Sequence, residues 1–288
     1  MSIKQYNKKL NVLEASKQRI SQIFDDFERI YVSFSGGKDS TVMLHLVMEE
    51  AIKRNKKIGV MLIDLEGQYK VTIDHLKTCY DMYAEYIEKY WVCLPISLRN
   101  AVSNYEPRWT CWDDEVMQDW IRELPEDCIH DENYFPFFRK GMEFEEFVPE
   151  FGEWYGQGKK TACVVGIRTD ESLNRFRTIQ NGKKIKWKDM SCTTQITENV
   201  YNIYPIYDWK VSDLWHWQFL NPDKPYNKLY DYMHKAGLTP SQMRICQPYG
   251  DDQRRGLWLF HILEPETWFK VVARVNGANS GALYINET

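Results

Sequence analysis

Residues 30–41, Ile30-Tyr31-Val32-Ser33-Phe34-Ser35-Gly36-Gly37-Lys38-Asp39-Ser40-Thr41, restrict the fold of this chain more than any other stretch. The apolar run Ile30 to Phe34 reads as a buried strand. Gly36 and Gly37 allow a tight turn and close backbone approach to a ligand. Thr41 to Lys53 then follows with helical apolar spacing at Val42, Leu46 and Ala51. A strand, a glycine turn and a helix start bring unpaired N–H groups and the positive end of a helix dipole to one point. Such a point suits an anion such as pyrophosphate. Lys38 adds a charge, and Ser33, Ser35 and Ser40 add hydroxyl groups. Walker-type loops place four residues between the first glycine and Gly-Lys-Ser/Thr, so this is a different device.

The rest of the chain alternates in a way that predicts an α/β fold: a doubly wound, mainly parallel sheet with helices on both faces. Leu13, Ile20, Ile23, Phe24 and Phe27 fit a helix ahead of the first strand. Ile58 to Asp64 predicts the second strand, Ile73 through Ile87 a helix, and Trp91 to Ile96 a third strand. Residues 97–157 break the rhythm with Trp109, Trp112, Trp120, Phe135, Phe137, Phe138, Phe144, Phe147, Phe151 and Trp154 among many acidic residues. They are expected to form an inserted, mostly helical subdomain, either a second small core with a solvated acidic face or a lid or partner surface. Asp113-Asp114-Glu115 fits a helix N-terminal charge cluster or a magnesium site. Strand character returns at Thr161 to Ile167 and Val200 to Ile206. Between them a basic stretch, Arg175, Arg177, Lys183, Lys184, Lys186 and Lys188, reads as a hairpin turning at Asn181-Gly182. Ser212 is the expected N-cap of a helix through Phe219, and Pro225–Tyr230 and Arg244–Gly256 read as loops. The expected domains are 1–96 with 158–240 for the nucleotide-binding unit, 97–157 for the insertion, and 241–288 for a C-terminal extension, either truncated or naturally short.

Three predicted strand ends carry polar groups: Ser35 to Ser40, Asp64 to Gln68, and Gly166 to Arg175. Ligands of open parallel sheets bind at such ends. Asp64 could accept a nucleotide hydrogen bond or cap the next helix. A net charge of −4 argues against a general nucleic-acid binder. No apolar run reaches the length of a membrane span and the polar N-terminus lacks a signal core, so a cytoplasmic address is expected. The cysteines at 79, 93, 111, 128, 163, 192 and 246 form no CxxC pair and the histidines lack ligand spacing. Reduced thiols are therefore expected, with no structural zinc, haem or iron–sulfur cluster.

Ser-Gly-Gly-Lys-Asp-Ser resembles the PP-loop of the adenine nucleotide alpha-hydrolase superfamily. That group includes phosphoadenylyl-sulfate (PAPS) reductases, the ATP sulfurylase small subunit, tRNA thiolation enzymes and amide-forming synthetases. Ile63-Asp64 to Tyr69 is similar to its "(I/V)DT-G" strand end, with Leu65 and Glu66 departing from the usual threonine. Gly166-Ile167-Arg168, Glu171-Ser172 and Arg175 resemble the "GIR…ES…R" segment of PAPS reductases, which contacts nucleotide phosphates and sulfate. Tyr204–Trp209 and Pro225–Tyr230 resemble later segments of the same proteins. The reductase cysteine, in an E-C-G-L-H context, has no match. Cys246 is the nearest candidate nucleophile and is otherwise a structural thiol. Gln247 to Leu257 is similar to the PAPS reductase-like proteins typified by immunoglobulin-binding regulator A, a family encoded beside a ParB/sulfiredoxin-like partner.

The resemblance implies an enzyme that binds ATP or PAPS, with magnesium, and performs adenylyl or sulfonyl transfer. Lys38, Asp39, Arg168 and Arg175 would be catalytic, with Asp39 also positioning magnesium. Ser33, Ser35, Gly36, Gly37, Ser40, Asp64 and Gly166 would join Lys38, Asp39 and Arg168 in holding the nucleotide. Glu171, Ser172, Arg254 and Arg255 would meet the substrate or its anion. Two alternatives stand beside this: a nucleotide-sensing module that acts with a protein partner, and a nucleic-acid thiolation or modification enzyme. A homo-oligomer is a further expectation left open.

Overall fold

The computed structural model describes residues 10–180, 184–240, 242–251 and 256–279. The expected Asn181-Gly182 turn, Lys183, Arg254 and Arg255 lie outside the described residues. The chain divides into two compact units, residues 1–62, 75–90 and 149–227 in the first, and 63–74, 91–148 and 228–288 in the second.

The first unit is built on a six-stranded sheet. Its strands are β1 (Arg29–Ser33), β2 (Ile58–Ile63), β3 (Ile87–Val92), β6 (Thr161–Val165), β7 (Thr193–Gln195) and β8 (Val200–Ile203), in the order β3-β2-β1-β6-β8-β7. β1 pairs in parallel with both β2 and β6, and β6 with β8, while β7 runs antiparallel to β8. Chain order reverses between β1 and β6, so those two strand ends flank the switch point where such sheets bind ligands. α1 (Val12–Asp26) opens on Asn11, whose side chain accepts from Glu14 N–H while Glu14 accepts from Asn11 N–H. Arg19 of α1 is buried and forms a two-pronged pair with Asp208, at 2.8 and 2.6 Å, while also donating to Pro205 O. Trp209 Nε1 donates to Ser16 Oγ at 2.8 Å. The Tyr204–Trp209 segment is thus the seat of the first helix.

Several expectations move. The third strand begins at Ile87, four residues early, because its outer residues Glu88 to Tyr90 are only half-buried and lack the apolar run of a central strand. The preceding helix, α3 (Lys70–Met82), ends before Tyr83, whose spacing to Ile87 mimicked another helical turn. Within the basic stretch Arg175 and Arg177 lie on α5 (Leu173–Gln180), not on a strand, and the antiparallel pair described in this region is β7–β8, downstream of it. α6 (Val211–Leu220) is capped at Lys210, whose N–H donates to Asp213 Oδ2, not at Ser212. α7 (Leu229–Lys235) begins inside the expected Pro225–Tyr230 loop.

Within 97–157 only α4 (Phe144–Gly156) is an α-helix. The remainder holds an antiparallel pair, β4 (Ser97–Arg99) with β5 (Arg108–Thr110), and a 3-10 turn at Asp114–Asp119. In that turn Asp113 caps the N-terminus and Lys140 bridges Asp113 and Glu115, so the acidic trio is a helix-start charge cluster. The end of α4 belongs to the first unit. There Tyr155 OH donates to Ile30 O and accepts from Gly59 N–H, joining β1 to β2. α8 (Trp258–Leu263) and α9 (Pro265–Arg274) pack on each other in the second unit.

Candidate functional site

The turn after β1 takes the shape its glycines permit. Gly36 sits at φ 71°, a left-handed conformation that side chains disfavour, and Gly37 is the N-cap of α2 (Lys38–Lys53). No side chain caps that helix start. Ser40 Oγ reaches back to Gly37 O at 3.1 Å and Ser35 Oγ at 3.0 Å, which braces the turn from inside. Asn227 Nδ2 donates to Gly36 O at 3.0 Å and holds it from the side. Sequence reasoning missed Asn227, although Pro225-Tyr226-Asn227 was legible as a shared segment.

Charge collects on the first turn of α2. Asp39 Oδ1 accepts from Arg168 Nε, and Asp39 Oδ2 lies 3.3 Å from Lys38 Nζ. Arg168 is buried and also reaches Trp209 O at 3.4 Å. One carboxylate therefore gathers two cations, leaving the cluster at net +1 beside a helix N-terminus. Gly166 makes this approach geometrically possible. A Cβ there would lie 2.7 Å from Ser40 Cα and 2.8 Å from Ser40 N, so only glycine lets the end of β6 lie against the helix start. The role found for Gly166 is thus close packing under the loop. Ser33, at the end of β1, is half-buried between Met61 and Val165.

Farther along, Ser172 Oγ accepts from Arg175 N–H at 3.2 Å and so starts α5. Arg175 is exposed, with Nε 3.9 Å from Glu171 Oε2. Two buried histidines brace α2, His45 on the helix itself and His75 on α3. His75 Nε2 is 2.9 Å from Thr41 Oγ1, and His45 contacts Tyr83 OH at 2.7 Å and Pro225 O at 2.9 Å. The carbonyl requires Nε2 of His45 to be the donor, so Nδ1 accepts from Tyr83. Burial lowers the pKa of each ring to about 4, and both are neutral at pH 7.

Asp64 lies in the second unit and is committed there. Trp91 Nε1 donates to its Oδ2 at 2.7 Å, Glu66 N–H donates to Oδ1 at 3.1 Å, and Arg122 pairs with it. Glu66, fully buried with φ 63°, accepts from Trp112 N–H, Ile121 N–H and Arg274 of α9. Cys246 is partly exposed in the same unit. Among the described residues no group of three or more His, Cys, Asp or Glu side chains is arranged to hold a metal ion. Both Asp39 oxygens already face cations, so this side chain does not fit the magnesium role.

A glycine turn, an uncapped helix start and paired cations at a switch point are the features of an α/β domain of the PP-loop class. The chain belongs to the phosphoadenosine phosphosulfate reductase domain family, whose model matches residues 29–236. Residues 237–288 match a domain of unknown function, DUF3440. The chain is 44% identical over 287 residues to Uncharacterized protein YbdN of Escherichia coli (strain K12), covering 99% of this chain and 70% of that protein. It is 26% identical to Uncharacterized protein MJ0973 of Methanocaldococcus jannaschii, covering 82% of this chain and 53%, about half, of that one. Solved structures similar to it include the PAPS reductase of Candida auris in a phosphate complex, at TM-score 0.44 and 16% identity over 76% of this chain and 84% of that one. Another is the U34-tRNA thiolase NcsA of Methanococcus maripaludis, at TM-score 0.42 and 13% identity over 96% and 80%. Among the described residues no helix is long and apolar enough to cross a membrane.

Proposed function

We propose that this protein is an enzyme that binds an adenine nucleotide through the Gly36–Ser40 turn and acts at its alpha-phosphate or at a group attached there. The observation that carries this reading is the joint placement of Lys38 and Arg168 on Asp39 at the uncapped start of α2. With ATP, an acceptor atom forms a bond to the alpha-phosphorus as the bond to the bridging oxygen breaks and pyrophosphate leaves. With PAPS, the acceptor forms its bond to sulfur as the sulfur–oxygen bond breaks and the nucleotide phosphate leaves. In both cases the leaving group gains negative charge, and the fixed N–H groups of α2 with Lys38 stabilise it. Arg168 fixes the Asp39 carboxylate, which in turn orients Lys38. Arg175, being exposed, is assigned to the acceptor or its anion, with Glu171 and Ser172 setting its position. Family membership supports a nucleotide ligand, while the choice between ATP and PAPS belongs to the experiment.

Calorimetry and thermal shift with ATP, adenylyl sulfate and PAPS, on wild type and Lys38→Ala, test the assignment. A ligand at about 100 times its dissociation constant adds roughly 2.7 kcal/mol to stability. Binding by wild type that is lost in Lys38→Ala is expected, and the preferred nucleotide selects adenylyl or sulfonyl transfer. Equal binding by the variant would remove the turn from the site. Binding without turnover across acceptors would move the protein to a sensing role.

A further inference from the structure

The Gly36–Gly37 peptide is, by sequence, the loosest link of the turn after β1. Glycine stands at both of its ends, with Gly36 at φ 71° and Gly37 at φ −74°. Turning this peptide over changes Gly36 ψ and Gly37 φ together, and glycine tolerates both settings. The two settings are opposite in effect. In a trans peptide the C=O and N–H point in opposite directions, so one setting offers a ligand a donor and the other a carbonyl oxygen. An anion is drawn to the first and repelled by the second. The peptide that follows is already held. Gly37 O accepts from Thr41 N–H at 2.9 Å, in the first turn of α2, and from Ser40 Oγ at 3.1 Å.

What fixes the Gly36–Gly37 peptide comes from 191 positions away. Buried Asn227 donates from Nδ2 to Gly36 O at 3.0 Å. A carbonyl oxygen can only accept, so this partner sets the orientation of the Asn227 amide. The bond keeps Gly36 O turned toward Asn227 and therefore Gly37 N–H turned away from it. Among the described residues Gly37 N–H has no hydrogen-bond partner. Asn227 is itself anchored. Two residues earlier, Pro225 O accepts from His45 Nε2 of α2 at 2.9 Å. Between them Tyr226 stands edge-on to Trp215 of α6, with ring centroids 6.4 Å apart. The Pro225–Asn227 strap is thus tied twice to the element it serves, once to the body of α2 and once to the turn that starts it.

We propose that Asn227 is a positioning residue, which locks the Gly36–Gly37 peptide with its N–H facing the ligand's phosphates and its carbonyl kept away from them. Asn227 acts through the turn and makes no ligand contact of its own. The glycines supply the freedom that close approach requires, and the buried amide removes the half of that freedom that would repel an anion. This inference rests on the nucleotide reading above and deepens it, by assigning the turn's choice to the phosphate chain and not to the base or the acceptor.

Inorganic pyrophosphate is the probe, because it presents the phosphate chain without base or acceptor. Gly36-Gly37 is the single Gly-Gly pair in the sequence. Labelling the glycines of the full chain with carbonyl carbon-13 and amide nitrogen-15 therefore isolates one nuclear magnetic resonance signal, that of Gly37 N–H. In wild type this signal should be single and should move downfield as pyrophosphate is added. Asn227→Leu keeps similar bulk without a donor. It should bind pyrophosphate about tenfold more weakly and show the signal doubled or broadened before ligand is added. Lys38→Ala should also lose affinity, but with the signal single, since it removes charge and leaves the peptide locked. Wild-type binding without movement of this signal would overturn the inference and leave the nucleotide reading intact. So would Asn227→Leu that is less stable yet binds as tightly as wild type, the outcome of a purely structural role. Wild type that binds neither pyrophosphate nor a nucleotide would overturn both. The wild-type spectrum decides even if Asn227→Leu fails to fold.

Discussion

Two acid–arginine clusters follow two strands of this protein, and they are built for opposite ends. After β1, Asp39 carries Lys38 and Arg168 at the start of a helix, with cations outnumbering the carboxylate. After β2, Asp64 and Glu66 face Arg122 and Arg274, charge for charge, and Trp91, Trp112 and Ile121 supply further N–H donors. The first cluster leaves a positive excess beside an uncapped helix and a solvent-facing Ser35. The second is neutral, two carboxylates against two guanidinium groups. An anion site needs a positive excess; a structural joint needs none. Under the proposed function Asp39 belongs to the site and Asp64 to the frame, although both follow strand ends where such folds bind ligands.

The largest effect should come from breaking the closed cluster. Arg274 and Glu66 side chains are 8% and 0% exposed, so Arg274→Ala leaves a buried carboxylate without its partner. Loss of such a partner costs about 3–5 kcal/mol. Urea denaturation should show that loss, and Arg274→Met combined with Glu66→Gln should recover much of it. A change under about 1 kcal/mol for Arg274→Ala would mean that the pair is not part of the frame.

Acid should next discriminate the platform under the open cluster. His45 and His75 have folded pKa values of about 4 against 6.5 in the unfolded chain, so the folded state binds fewer protons. Their contribution is complete above pH 6.5 and is lost as pH falls from 6.5 toward 4. At about pH 5 each should have surrendered roughly 2 kcal/mol. Hydrogen exchange on α2 should accelerate over that range, and His75→Gln, which keeps a partner for Thr41, should flatten the dependence. A profile unchanged in the variant would show that His75 is not the titrating group.

How far the sequence disclosed this contrast depends on whether each interaction is local. The turn from Ser35 to Ser40 was legible because glycines, lysine and serines lie side by side, and the parallel sheet was legible from its buried apolar strands. Arg168 was found through a shared segment, but its tie to Asp39 spans 129 positions and has no local sign. Glu66 seemed a departure from the family pattern. Its reason, Arg274, lies 208 positions away on α9 and could not be inferred from spacing. β3 was misplaced because an outer strand carries polar residues, and β7 was missed because three residues hold no periodicity.

Gly166→Ala probes how closely the open cluster is packed. The added carbon would meet Ser40 backbone at 2.7 and 2.8 Å, and backbone cannot turn aside as a flexible side chain can. A stability loss of about 1–3 kcal/mol is expected from overpacking. The proposed nucleotide affinity should fall as well, since the helix start is displaced. Unaltered affinity and stability would place the loop farther from β6 than the geometry indicates.

The smallest stability effect is expected where the functional effect is greatest. Lys38→Ala removes one of two cations on Asp39 while Arg168 remains in place, so the carboxylate stays partnered. The Lys38 and Asp39 side chains are largely shielded, at 9% and 14% exposed, but no carboxylate is orphaned, so a change of about 1 kcal/mol should appear in denaturation, the net worth of one hydrogen-bonded contact. Arg274→Ala would give the reverse, a large stability loss with nucleotide affinity retained in the folded fraction. Measuring both quantities in both variants is the sharpest form of the contrast. If Lys38→Ala unfolds the protein as readily as Arg274→Ala, the first cluster is a joint like the second. A site and a frame would then no longer be separable by their charge balance.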